Sequence, residues 1–166
     1  VTGGLGAATV SGAQVVYDPS AYGYLAAGET AAVTLAYTIS DGHGGTAAST
    51  VAITVTGSND GPTAVADVAA TDEDNSIAID VLANDIDPDG DELTVRSWTS
   101  PEGGGGSVEE SGPGVLRYAP DEGFTGTDSF RYTVCDSFDR CDTASVTVEV
   151  VAAAALDDEV VAKDDE

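Results

Sequence analysis

Four aspartates stand at alternate positions in one short stretch: Asp85, Asp87, Asp89 and Asp91, within Ala83-Asn84-Asp85-Ile86-Asp87-Pro88-Asp89-Gly90-Asp91-Glu92-Leu93. Gly90 supplies a tight bend among them. Carboxylates this close repel one another unless something positive lies between them. Calcium suits the pattern, since it takes about six to eight hard oxygens in flexible geometry, whereas magnesium demands a stiffer cage with retained waters. The run matches only the first half of a helix-loop-helix calcium loop. No helix precedes it and no bidentate Glu follows at the required distance, so the remaining ligands must come from elsewhere. Three suppliers are expected: Asp72-Glu73-Asp74, with Glu73 the best bidentate candidate; Asn59-Asp60 in the linker; and Asp67. A cation shared by Asn59 or Asp60 with the 72–74 and 85–91 segments would fix the junction on which those carboxylates otherwise push.

Other chemistry is thin. His43 is the single histidine, in the glycine-rich turn Asp41-Gly42-His43-Gly44-Gly45, where it reads as a solvated turn residue. No Ser-His-Asp arrangement can be built, and nothing marks two of the many acids as an acid–base pair. The chain is therefore expected not to be an enzyme. Tyr17, Tyr22 and Tyr24 form an aromatic cluster that could act as a ligand surface for a carbohydrate or a protein. Trp98 follows Leu93, Val95 and Ser97 with period two and reads as core. Cys135 and Cys141 flank a hairpin turn where the matching positions are Ser40 and Thr46. In the register the repeat implies they face each other within reach of a disulfide, which fits an oxidising compartment. The alternative is a buried free pair. A six-residue spacing is neither a zinc nor a redox pattern.

The whole composition points the same way. The chain has 166 residues, with 30 Asp plus Glu against 5 Lys plus Arg, a formal net charge of −25. A field this negative disfavours nucleic acid and anionic membranes as partners, and no apolar run is long enough to cross a bilayer. The acids are uneven: residues 1–58 hold only Asp18, Glu29 and Asp41 and no Lys or Arg, whereas residues 59–92 hold eleven acids. Twenty glycines, no Met and a single Lys suit a turn-rich, all-β extracellular module.

The elements that must position these groups are strands. Thr34 to Ile39 and Ser49 to Val55 read as one hairpin, and Ser129 to Cys135 with Cys141 to Val150 as another. Both alternate with period two between Gly and Asp turn formers. The hairpins match: Tyr37-Thr38-Ile39-Ser40-Asp41 aligns with Tyr132-Thr133-Val134-Cys135-Asp136, and Val16-Tyr17-Asp18-Pro19 with Arg117-Tyr118-Ala119-Pro120. An internal repeat of about 95 residues follows. Residues 1–58 form a partial copy without its opening strands, 59–62 the linker, and 63–150 a whole copy. Residues 151–166 are the start of a further repeat or an acidic tail, with Asp158 where Asp67 falls and Asp164-Asp165 where Glu73-Asp74 falls. A half-copy leaves a sheet edge and a core face exposed. It is covered by its neighbour, by the tail of another chain, or by nothing. Strand exchange between chains is one expectation.

At this point the residues resemble a known family. Asn59-Asp60-Gly61-Pro62, the run Val81 to Asp91, and Gly123-Phe124-Thr125-Gly126-Thr127-Asp128-Ser129-Phe130 with its Tyr-Thr-Val strand look like bacterial cadherin-like tandem repeats. Tyr17-Asp18-Pro19, Leu25-Ala26-Ala27-Gly28-Glu29 and Tyr37 to Gly42 resemble the related VCBS repeat. The resemblance implies Greek-key cadherin- or immunoglobulin-like β-sandwich repeats in tandem, in large secreted or surface proteins such as RTX adhesins, with calcium near the junctions. By that resemblance Asn59 and Asp60 match linker ligands, Glu73 the early acidic ligand, and Asp85, Asp87 and Asp89 loop ligands. Asp128 is either a ligand or a turn cap. The expected function is a calcium-stabilised spacer at the bacterial surface or outside the cell, partnered by neighbouring repeats. The rival is a carbohydrate- or protein-binding module. The cysteine pair departs from the family pattern and suggests reinforcement of its hairpin.

Overall fold

The computed structural model describes residues 5–153, whose regular elements are all strands apart from one 3-10 turn at Ser20–Tyr22. The further repeat read in the last residues falls, from 154 onward, outside the described residues. The chain divides into two units, one of Val1–Pro62 with Ile86–Glu92 and Asp136–Arg140, the other of Thr63–Asp85, Leu93–Cys135 and Cys141–Glu166. The two short loops group with the first unit through side chains: Asn59 donates to Asp136, and the Asp60 amide to Asp89.

The first unit holds two antiparallel hairpins, β1 (Ala7–Ser11) with β2 (Gln14–Asp18), and β3 (Thr30–Ser40) with β4 (Thr46–Thr56). Its core is small, with Tyr22, Leu25, Val33 and Leu35 buried and Tyr17, Ile53 and Val55 packed around them.

The second unit is a complete sandwich. Its strands are β5 (Asp67–Asp72), β6 (Ile77–Asp80), β7 (Thr94–Trp98), β8 (Gly106–Gly112), β9 (Val115–Pro120), β10 (Gly126–Cys135) and β11 (Cys141–Val151). One sheet runs β5-β11-β10-β7 and the other β6-β9-β8. All pairs are antiparallel except β5 with β11, parallel from Val146 opposite Asp67 to Val151 opposite Asp72. Period-two alternation sends Phe130, Tyr132 and Val134 of β10 and Val146, Val148 and Val150 of β11 inward. They meet Ile79, Val81, Leu116 and Tyr118 from the opposite layer in one core. Trp98 packs against that core and donates its indole N–H to the Val108 carbonyl at 3.2 Å. Strict period two from Leu93 and Val95 would turn it outward, and the register shift between Thr133 and Val134 in the β7–β10 pairing lets both Val95 and Trp98 face the core.

The two units share a local plan. β1-β2 corresponds to β8-β9, and β3-β4 to β10-β11. The turns agree atom for atom: Asp41 Oδ1 accepts from the amides of His43 and Gly45, as Asp136 Oδ1 does from Phe138 and Arg140. Tyr17 donates to the Leu5 carbonyl and Tyr118 to that of Gly105. A Cβ placed on Gly6 or Gly106 would collide with that tyrosine's hydroxyl, which explains a glycine at both places. Among the described residues, counterparts of β5, β6 and β7 are absent from the first unit. Inner positions there are accordingly bare: Val51 is 44 % exposed where Val146 is 0 %, and Ile39 is 61 % exposed where Val134 is 0 %. An open cleft of about 830 Å³ lies between the hairpins, lined by Val10, Val15, Tyr37, Ile39 and Val51 among others.

Candidate functional site

The Asp run does not act as one group. In the second unit Asp85 accepts from the Val65 amide at 2.7 Å and from the Tyr132 hydroxyl at 3.0 and 3.1 Å. Asp67 lies beside them. Burial, then the neighbouring Asp85 charge, push its carboxyl above the usual range, only partly offset by Tyr132.

In the first unit a turn closes from the Gly90 amide to the Asp87 carbonyl at 3.2 Å, with Gly90 at φ +77° as the tight bend requires. Asp87 Oδ1 accepts from the amides of Asp89 and Asp91 at 2.9 and 3.2 Å, which curls the loop around that carboxylate. Asp91 Oδ1 accepts from the Ser137 hydroxyl at 2.9 Å. Asp136 completes the group: ligand atoms of Asp87, Asp91 and Asp136 all lie within 4.8 Å of one another. Asp136 is buried, and its Oδ2 accepts from the Asn59 amide group at 2.7 Å. Burial raises the Asp136 carboxyl, but the bonds from Asn59, Arg140 and Phe138 and the Arg140 charge outweigh it, and it lies below the usual carboxylate range. Three oxygens in this neighbourhood, Asp87 Oδ2, Asp91 Oδ2 and Asn59 Oδ1, are buried without a hydrogen-bond partner. Buried polar atoms are rarely left so, and an acceptor-only group of carboxylates and an amide oxygen is the donor set of a hard cation. The cluster can in principle coordinate a metal ion.

The other sequence-derived ligands are engaged differently. Asp89 Oδ2 accepts from the Asp60 amide at 2.7 Å, so these two join Asn59 in fixing the linker. Asp72 accepts from the Asp74 amide and the Asn75 side chain, closing a turn. Glu73 accepts from the Ala153 amide at 3.2 Å. Asp128 is buried and accepts from the amides of Gly103, Gly105 and Ser129 and from the Tyr118 hydroxyl. Of its two sequence-derived alternatives, the turn cap describes this geometry. Asp136 was the residue the run of aspartates did not reveal. Its signal is the inward parity of β10, which runs Asp128, Phe130, Tyr132, Val134 and on to Asp136, all buried.

The tyrosine surface is reduced to one exposed ring. Tyr22 is buried in the first core and Tyr17 half-buried against it, leaving Tyr24 in solvent 6.0 Å from the Tyr22 ring. They do not form a three-ring platform, because Tyr22, in the 3-10 turn, fills a core that lacks opposing strands among the described residues. His43 is exposed in its turn, its Nδ1 2.9 Å from the Asp41 carbonyl. Cys135 and Cys141 form a disulfide across the last β10–β11 pair. Among the described residues no helix is long and apolar enough to cross a membrane.

Two packed sheets of four and three strands around a single core define an immunoglobulin-like β-sandwich. The chain belongs to the bacterial Ig domain family (Big_9), whose model matches residues 59–149. No curated protein matches it. Similar solved structures include protocadherin gamma B2 extracellular cadherin domains 1-5, at 14 % identity, 82 % of this chain, 28 % of that chain and a TM-score of 0.46. A nucleoside hydrolase-related protein from Saccharophagus degradans is 19 % identical over 55 % of this chain and 26 % of that chain, with a TM-score of 0.43. An endo-fucoidan hydrolase of glycoside hydrolase family 107 is 18 % identical over 79 % and 20 %, with a TM-score of 0.41. The chain thus spans 20–28 % of the length of these structures.

Proposed function

We propose that this chain is a non-catalytic β-sandwich module of a secreted or surface protein that binds another polypeptide. The observation that carries this is the first unit: an open cleft in which Val15, Tyr37, Ile39 and Val51 stand where Leu116, Tyr132, Val134 and Val146 are buried in the core of the second unit. Strand addition suits it, because main-chain bonds along an open edge supply affinity and alternate side chains supply specificity. In the second unit Ile79 and Val81, on and just after β6, occupy the core beside Leu116, Tyr132 and Val134. A labelled peptide of residues 75–84 is therefore the probe. It should bind saturably by fluorescence anisotropy, and Ile39→Lys should abolish the signal. No binding to the intact chain would refute the proposal.

A second reading is favoured by the Asp87, Asp91 and Asp136 cluster. Calcium held there with Asn59 would neutralise the loops and stiffen the linker, making the chain a spacer of the kind its cadherin-like and VCBS-like motifs suggest for RTX-type adhesins. Calorimetric titration of the metal-stripped protein should show calcium binding, with a rise in melting temperature by linkage. Asp87→Asn and Asp136→Asn should each remove most of that rise. An unchanged melting temperature in excess calcium would exclude this reading.

A further inference from the structure

The turn 136–140 leaves β10 at Cys135 and enters β11 at Cys141, and a disulfide joins those two residues. Asp136 stands immediately after the first cysteine, so one aspartate of the cation cluster lies inside a covalently closed loop. The same loop makes two further contacts with the site. The Ser137 hydroxyl donates to Asp91 Oδ1 at 2.9 Å, and Asp136 Oδ2 accepts from the Asn59 side chain at 2.7 Å. The β3–β4 turn offers a comparison within the same chain. It repeats the Asp-centred geometry with Asp41 in the place of Asp136, yet its last strand pair is Ser40 opposite Thr46 and carries no bridge. Asp41 is exposed and belongs to no such cluster among the described residues, whereas Asp136 is buried and does. The bridge is therefore not what makes this turn. It is present where the aspartate of the turn stands against two other carboxylates.

We propose that the Cys135–Cys141 disulfide is a positioning element for the cation site, and that its oxidation state sets the affinity of the Asp87, Asp91 and Asp136 cluster for calcium. This rests on the calcium reading above and adds its regulation. Three carboxylates whose ligand atoms lie within 4.8 Å of one another repel when no ion is between them. Loops relieve such repulsion by drawing apart, and the fraying end of a hairpin opens at the lowest cost. A covalent link across the last β10–β11 pair removes that escape. Asp136 is then held in place before the ion arrives, and less ordering is left for the ion to impose. When a dithiol reduces the bridge, each sulfur gains one electron and one proton and the dithiol closes to its own cyclic disulfide. The turn then keeps only its hydrogen bonds. Coupling of this kind is reciprocal: the factor the bridge adds to calcium affinity is the factor bound calcium adds to the bridge's resistance to reduction.

Two measurements on the full chain test this. Calorimetric titration with calcium, well below the melting temperature, compares the bridged protein with the Cys135→Ser, Cys141→Ser double variant. The expected result is about tenfold weaker binding in the variant. The second measurement needs no cysteine variant: the parent chain is equilibrated with reduced and oxidised dithiothreitol, with and without saturating calcium. Calcium should make the bridge about tenfold harder to reduce, and Asp87→Asn should remove that effect. A merely structural bridge would lower the melting temperature when lost and leave the reduction equilibrium indifferent to calcium. That indifference overturns the proposal, and so does equal calcium affinity with and without the bridge; in both cases the calcium reading stands. A bridged parent that binds no calcium refutes the reading and the proposal together.

Discussion

Tyr132 places one hydroxyl among the carbonyls of Val65 and Val81 and the Asp85 carboxylate, at 2.9–3.1 Å. Burial and the charges of Asp67 and Asp85 raise its phenol well above the ordinary value, so it remains a donor. Tyr132→Phe keeps the ring in the core and removes the donor, which should cost about 1–3 kcal/mol in urea unfolding. Asp142 gives the clearest pH effect. Bonds from the Ala64 and Thr143 amides hold its carboxyl below the usual range. A lowered folded pKa contributes stability above the unfolded value near 3.9, lost as pH falls through the folded value. Asp142→Asn should therefore flatten the acid side of the stability–pH curve, measured as the difference from the parent below about pH 4. At this scale the sequence showed which carboxylates repel one another, because spacing along the chain is enough for that. It could not show that Asp85 would turn to Tyr132 while Asp136, some fifty residues on, would join Asp87. Those pairings are made by tertiary packing.

Hairpins were the most legible elements. β3, β4, β10 and β11 run ten or eleven residues each, long enough for alternation to stand out. β6 and β7 have four and five residues, too few for a periodic pattern, and β8 carries Ser107, Glu109 and Glu110 on a largely polar strand. Those three emerge only when Tyr118 and Tyr132 supply a surface to cover. The Cys135–Cys141 bridge closes the β10–β11 turn at positions where the sister hairpin has Ser40 opposite Thr46. Both hairpins already share the Asp-centred turn, so the bridge adds to a geometry that forms without it. Replacing both cysteines by serine should lower stability by about 2 kcal/mol through the unfolded chain and leave the strand pairing unchanged, as read by chemical denaturation and circular dichroism.

The whole molecule carries −25 charges, and most lie beyond residue 58. Self-repulsion across such a body is screened by salt. In the absence of divalent ions, raising sodium chloride from about 0.02 to about 0.5 M should raise the melting temperature by several degrees. The Asp87→Asn variant should gain less, because one close repulsion is already gone. One consequence of the parallel β5–β11 pair concerns force. Tension applied along the chain enters the sandwich at Asp67 and leaves at Val151, opposite ends of a six-residue parallel ladder. The load then falls on those bonds in shear, all at once, where a pull across antiparallel neighbours would peel them singly. Once that ladder ruptures, the bridged turn stays closed and withholds the residues between Cys135 and Cys141 from the released length. Reducing the bridge should lengthen each unfolding step by about 20 Å without changing the force at which it begins, a combination that single-molecule pulling can read directly.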